Sequence, residues 1–412
     1  MSATTPGESE TLGGIVRGYF ARVRGGDIGS LPAILGLIVL VIVFSVLRPD
    51  TFTTKLNFAN LLNQSAGVMV VAMGLVFVLL IGEIDLSAGY AAGVCATVVG
   101  VLLTRHDWAW PPALLVGVLT GAVIGFVLGN LVARIGIPSF IATLAAFLAF
   151  QGVMLKVIGE GGTIPYRNDF VIKLNNGNLS VAMGWTLAVV GVVAYALVTF
   201  LSIRSRRKQG LVANSMLAWA LKSGFLAIVV FAMVAYLSQE RAINPQIKSL
   251  KGVPVVVVLV VVLVVILNYL LTRTSWGRHV YAVGGNAEAA RRAGINVAWV
   301  KISCFMMCSA LAAVAGILIA SRTNSVSVQT GGNETLLFAV GAAVIGGTSL
   351  FGGKGRITDA VIGGLVLQIV ANGMGLLNQP AAIVYMVTGG VLLLAAAVDA
   401  LSRKRAAATG RV

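Results

Sequence analysis

Residues 272–301 read TRTSWGRHVYAVGGNAEAARRAGINVAWVK, a polar and basic island between two long apolar runs. Asn286 can cap a short helix over 287–293, with Glu288 in its first turn, Arg291 and Arg292 in its last, and Gly294 just beyond. Glu288 and Arg292 are four apart with the acid first, the favourable order on a helix surface. Seven residues rising about 1.5 Å each make a helix of about 10 Å, too short to persist alone. Such a piece needs something to lie against. Two uses fit it: a cytosolic loop whose arginines set topology, or a docking helix for a soluble partner.

The surroundings decide the class. The 412 residues are 58% hydrophobic and 11% charged, with a mean hydropathy of +0.95. Repeated apolar runs approaching twenty residues exclude a soluble chain and read as membrane spans. The net charge of +16 falls between these runs, so topology explains it better than nucleic acid does. Cys95, Cys304 and Cys308 lie inside apolar segments and offer no disulfide framework, and two histidines, His106 and His279, make no metal site. Residues 1–30 lack the apolar core of a signal peptide and are expected to be a cytosolic tail, as are residues 401–412.

The expected fold is all-α: a polytopic helical membrane body over 31–400 with about twelve spans. They fall near 31–48, 66–82, 86–104, 112–133, 140–158, 182–202, 219–238, 254–272, 300–321, 336–352, 360–377 and 381–400. Glycines in 336–352 and 360–377 suggest broken or re-entrant helices there. With both termini inside, the cytosolic side receives 20 of the 30 basic residues. These include Arg17, Arg22, Arg24, the run from Arg204 to Lys208, and the whole island. The inverse orientation would put that run and the island outside, against the inward bias of Lys and Arg.

Several breaks interrupt the spans. Gly82-Glu83-Ile84-Asp85-Leu86-Ser87 sets two carboxylates between apolar runs, where they are costly unless hydrated or partnered. Asp85 is expected to cap a helix beginning at Leu86, with gating or partner contact as the other use. Gly136-Ile137-Pro138-Ser139-Phe140 ends one span and starts the next at an offset, because Pro138 removes a donor and disfavours helix at Ile137. The stretch 346–355, GGTSLFGGKG, looks superficially like a phosphate loop, but Lys354 precedes glycine and no βαβ unit surrounds it. Residues 159–183 are expected to be an external loop with turns at Gly161-Gly162 and Asn175-Asn176-Gly177.

Inside the spans, Gly117, Gly121, Gly125 and Gly129 recur every four residues and suit close helix packing or a moving interface. Polar side chains are few: Gln151, Asn268, and Gln368 with Asn372. Amides both donate and accept, so they serve a hydroxylated solute or a neighbouring helix equally. No serine–histidine–acid set or metal cluster emerges.

Taken in order, these blocks resemble the membrane permeases of bacterial ABC-type, ATP-driven monosaccharide importers, the group that includes ribose, galactose and xylose systems. The resemblance runs from about residue 50 to 400. It is carried by the 82–87 block, by Gly136 through Leu144, by Gly277-Arg278 and Tyr281 through Asn286 followed by Glu288 to Arg291, by the 346–355 glycines, and by Asn372-Gly373. It implies a complex of two permease subunits, forming a homodimer, with two cytosolic ATPase subunits that carry the ATP and Mg. A sugar-binding protein stands outside. This chain itself carries no cofactor and is not an enzyme. The resemblance also implies that the 272–301 loop couples to the ATPase through Gly277, Arg278, Gly284, Gly285, Asn286, Glu288, Ala289, Arg291, Arg292 and Gly294. Candidates for the translocation path or its gate are Glu83, Asp85, Ser87, Pro138, Ser139, Gln151, Asn268, Gln368 and Asn372. Extra length around 180–240 is like the xylose-type permeases and favours a pentose, while Asp359 stands where many relatives have glycine. The rival class is an ion-coupled secondary transporter of a sugar or small polar metabolite, with Glu83 or Asp85 as its coupling carboxylate; it leaves the capped basic loop unexplained.

Overall fold

The computed structural model describes residues 30–210, 215–242, 244–246 and 249–408. Most of the expected N-terminal tail, with Arg17, Arg22 and Arg24, and the last four residues of the C-terminal one lie outside that set. The chain divides into two compact units, one of residues 29–177 and 254–399, the other described mainly over 178–253.

The larger unit begins with α1 (Leu31–Leu47), the short α2 (Pro49–Phe52), α3 (Lys55–Leu80), α4 (Ala88–Thr104), α5 (Trp110–Asn130), a π-helical turn (Leu131–Ile135) and α6 (Ser139–Ile158). After β1 (Thr163–Pro165) and α7 (Asp169–Asn176), the smaller unit supplies α8 (Val181–Lys208) and α9 (Met216–Leu237). The larger unit resumes with α10 (Val255–Arg273), α11 (Ser275–Gly285), α12 (Ala287–Arg292), α13 (Val297–Thr323), β2 (Ser325–Ser327), α14 (Asn333–Gly346) and α15 (Ile357–Leu376), and α16 spans Ala381–Ala408. Among the described residues eight helices are long and apolar enough to cross a membrane, and four shorter apolar ones accompany them. The chain is thus an all-α, multi-pass membrane protein; the expected span 336–352 ends early, because α14 stops at Gly346 and irregular backbone follows, and α15 runs unbroken through the glycines of 360–377, where a broken helix was expected.

Burial ranks the spans. Of their most apolar windows, 83% is buried in α3 and 67% in α13, so these two form the centre of the larger unit. Around them pack α4, α5, α14 and α15. The glycine strip of α5 lies on α13: a Cβ at Gly121 or Gly125 would overlap the carbonyl oxygens of Ser309 and Phe305. In lipid, where apolar bulk gives little net drive between helices, such backbone contact supplies dispersion in its place.

The segment 159–183 is more structured than a loop. Thr163–Pro165 pairs antiparallel with Ser325–Ser327, and Asn168 caps α7 by accepting from Phe170 and Val171 N–H at 3.1 and 3.2 Å. Asn175 is buried: its N–H donates to Ser321 Oγ (3.1 Å) and its amide to the carbonyls of Asn63 and Leu318 (both 3.3 Å). The asparagines that read as turn residues instead pin a short amphipathic helix to α3 and α13.

Candidate coupling site

The island is more ordered than its composition suggests. Its first half, where the sequence alone placed no helix, is α11, started by Thr274, whose hydroxyl accepts from Gly277 N–H at 3.1 Å. Val280 and Val283 form its buried face, and Trp276, whose ring centroid lies 5.5 Å from that of Phe77, donates its indole N–H to Ser303 Oγ at 2.7 Å. Gly277 lies so close to α10 that a Cβ would overlap the Leu271 carbonyl. Arg278 and Gly285 face outward.

Gly284 is the tightest point. A Cβ there would overlap the carbonyl oxygen of Leu80, the last residue of α3, and would approach Gly353 N at 2.8 Å. That same carbonyl accepts from Gly353 N–H at 2.8 Å, and Tyr281 donates its hydroxyl to the Gly355 carbonyl at 2.8 Å. The glycine-rich stretch therefore seals α11 onto the end of α3, the buried irregular backbone that a membrane protein tolerates. Within it, Gly347, Gly352 and Gly353 have positive φ. Asp359 sits one turn into α15, where it accepts from Arg356 N–H at 2.8 Å and Thr348 Oγ1 at 3.3 Å.

Next comes α12, as its residues dictate. Asn286 accepts from Ala289 N–H at 2.9 Å, Gly294 closes the helix at φ +83°, and Ala290 points inward. Glu288 pairs with Arg291 (3.3 Å) and Arg292 (3.4 Å). These three and Ala289 lie exposed, so the pairs contribute only a few tenths of a kcal/mol each. The outer face of α12, formed by Glu288, Ala289, Arg291 and Arg292, is exposed.

The 82–87 turn meets the same loop. Glu83 forms a half-buried ion pair with Lys301, at the start of α13. Ile84 N–H donates to Ser139 Oγ at 3.2 Å and its carbonyl accepts from Thr143 Oγ1 at 3.3 Å, which brings in the break at Pro138. Asp85 does not cap a helix at Leu86. The helix starts at Ala88, and Asp85, fully buried, accepts from Ser87 N–H (2.9 Å) and Ser87 Oγ (2.6 Å) in a local turn. The Cys308 thiol lies beside this carboxylate, and burial pushes its pKa up against the lowering effect of the Ser87 bonds.

A raised carboxyl pKa means the folded state holds the proton more tightly. Stability then falls as pH rises from the ordinary carboxylate range through the raised value. Asp85→Asn keeps the acceptor and removes the buried charge, so it should unfold in detergent at a higher temperature than wild type near neutral pH. Asp85→Leu strands the Ser87 donors at a cost of about 1–3 kcal/mol and should unfold earlier. A lower melting temperature for the Asn form would refute this account.

The remaining candidates sit apart from this cluster. Gln368 donates to Gln64 at 2.9 Å, and Asn372 exchanges bonds with Asn57 at 2.9 and 3.0 Å, joining α15 to α3. Gln151 neighbours the Tyr90 hydroxyl. Asn268 faces outward on α10 beside the exposed Val265 and Tyr269. Sequence reasoning missed Lys301 as a partner, along with Trp276 and Tyr281 as anchors. The usable signal was a lone lysine heading an apolar span in a chain with two carboxylates at another span's end. Among the described residues no group of three or more His, Cys, Asp or Glu is placed to hold a metal.

Comparison with known proteins agrees with this architecture. The family described as branched-chain amino acid transport system / permease component matches residues 57–396. The xylose transport system permease protein of Escherichia coli (strain K12) is 31% identical over 405 residues, covering 98% of this chain and all of the relative. The ribose import permease protein of the same strain is 30% identical over 395 residues, 95% of this chain and 98% of its own. The D-allose transport system permease protein, also from that strain, is 28% identical over 369 residues, 89% and 90% of the two chains. No solved structure matches. Eight membrane-length helices and a family match over most of the chain make this protein a membrane transport permease, a member of the branched-chain amino acid transport system / permease component family.

Proposed function

We propose that the chain is the permease subunit of an ABC-type sugar importer in a bacterial inner membrane. It forms the path for a monosaccharide, a pentose such as D-xylose, delivered by an external binding protein. The observation that carries this reading is α12: a capped, outward-facing helix standing on a buried framework that reaches the 82–87 turn. That is the form a docking element takes when partner motion has to enter a membrane body. The coupling set is Gly277, Arg278, Gly284, Gly285, Asn286, Glu288, Ala289, Arg291, Arg292 and Gly294. Glu83, Asp85, Ser87, Pro138 and Ser139 lie behind it as the gate region. The relatives' names for xylose, ribose and allose support a sugar. The partners are a second copy of the chain and an ATPase holding ATP and Mg. The test is uptake into reconstituted vesicles: D-xylose should accumulate only with ATP, the ATPase and the binding protein all present. Accumulation driven by an ion gradient without the ATPase would establish the secondary-transporter reading in its place.

In this reading both termini and residues 272–301 face the cytosol, following the basic-residue distribution. In intact cells an impermeant thiol reagent should miss a cysteine at Ala287 and reach one at the exposed Glu160. Asn175, being buried, is unsuitable as the outside marker. Efficient labelling at 287 would reverse the orientation.

A further inference from the structure

Beside α12 lies a cavity of about 290 Å³ whose walls come from two distant parts of the larger unit. One wall is the π-helical turn, through Val132 and Ala133; the other is Ala287 and Arg291 of α12 with Ala298 and Lys301 of α13. Ligand sites run from about 300 to 1,000 Å³, so this volume suits a protein side chain better than a drug-sized molecule. The turn is held in place from behind. A Cβ at Gly129, two residues before it, would overlap Ile302 Cα, which sets the end of α5 against α13 at backbone distance. Single π-helical turns inside longer helices recur at functional sites. This one ends at Gly136, whose φ of +86° leads the chain into the Pro138 break.

Both walls lead to the 82–87 turn. From the first, the chain passes through Pro138 to Ser139, whose hydroxyl accepts from Ile84 N–H at 3.2 Å. From the second, Lys301 pairs with Glu83. The two charged residues lining the cavity, Arg291 and Lys301, are cations that already hold carboxylates. Their holds are unequal. Arg291 meets Glu288 at 3.3 Å in an exposed pair, which is weak and readily exchanged. Lys301 and Glu83 are better shielded, and such a pair gives way only to another anion, because a charge stranded away from water is costly. The lysine ammonium carries three donors on a flexible stem, so it can turn from one acceptor to another.

We propose that this cavity receives an acidic side chain of the cytosolic ATPase subunit, which pairs with Arg291 and Lys301 and draws Lys301 away from Glu83. The inference rests on the reading of α12 as the docking element and adds a second contact beside that helix's outer face. Charge selects the occupant. A neutral or cationic side chain offers Lys301 nothing in exchange for Glu83, whereas a carboxylate replaces one acceptor with another. The apolar side chains of Val132, Ala133 and Ala298 lower the local polarity, where a charge pair is stronger than in water. Docking thereby unfastens one of the links that hold the 82–87 turn, at the junction of α3 and α4.

The experiment uses the full-length protein in nanodiscs, titrated with the ATPase subunit, with the fold of each variant checked by its melting temperature. Glu83→Gln removes the competitor for Lys301 and should tighten ATPase binding about fivefold, less than one decade of affinity. A purely structural ion pair predicts unchanged or weaker binding, and either result would overturn the exchange. Glu83→Lys/Lys301→Glu keeps an ion pair within the permease but sets a carboxylate in the cavity, and should weaken binding by roughly tenfold or more. Ala298→Trp fills the cavity without altering charge and should weaken binding by a similar factor, which keeps the proposal testable if the swapped variant melts early. Wild-type affinity in Ala298→Trp would overturn it. The two levels fail differently. A wild type that binds no ATPase ends the importer reading and this inference together. An ATPase that binds wild type, is lost with Ala289→Trp and is kept by both Ala298→Trp and the swapped variant leaves the importer reading standing and removes the cavity from it.

Discussion

Gly284→Ala should leave the membrane spans intact and unseat the loop that crosses their ends. The added methyl meets the Leu80 carbonyl and the Gly353 amide, both backbone, so no side chain can swing away. Overpacking of this kind costs about 1–3 kcal/mol. Losing the Gly353-to-Leu80 hydrogen bond adds about 1–3 kcal/mol for the buried groups it strands. Gly285→Ala is the internal control, because a Cβ there has nothing within 4 Å. In detergent, the 284 variant should melt well below wild type and expose residues 275–285 to protease, while the 285 variant should match wild type. Equal melting of all three would mean the junction yields.

Ala289→Trp is expected to do the reverse, leaving the fold alone and removing the partner. Ala289 is exposed, its N–H already satisfied by Asn286, and the indole would project from the outer face of α12. The variant should insert and melt normally, yet lose at least tenfold in ATPase co-purification and in sugar-stimulated hydrolysis. Glu288→Lys removes the pairing with Arg291 and Arg292 and sets a cation at the positive end of the helix, at a cost of about 0.5–1 kcal/mol in helix stability. Its effect should be milder. Wild-type coupling in both variants would reduce the helix to a topogenic loop and end the coupling assignment.

The parts of this protein legible in its sequence are those where the signal is local. Apolar runs marked the spans, and α12 announced itself through Asn286, Glu288 and Gly294, all within nine residues. Its neighbour α11 hid because SWGRHVYAVGG combines glycines and charges without an apolar run. The spacing of Trp276, Val280 and Val283 behind Thr274 was nonetheless helical. Asp85 misled because a carboxylate before an apolar run looks like a cap, whereas burial made it the acceptor of a turn. Asn175 misled for the opposite reason: its composition says turn, and it is the distant Asn63, Leu318 and Ser321 that hold it buried. Nothing local pairs Glu83 with Lys301, 218 positions away.

That long-range pair differs in one consequential way from the pairs on α12. The side chains of Glu83 and Lys301 are 15% and 23% exposed, whereas Glu288, Arg291 and Arg292 are 57%, 68% and 80% exposed. Mobile ions screen exposed charges over about 8 Å at physiological ionic strength and reach shielded ones far less. Brine should therefore strip the electrostatic share from whatever meets the outer face of α12 while the joint behind it stays closed.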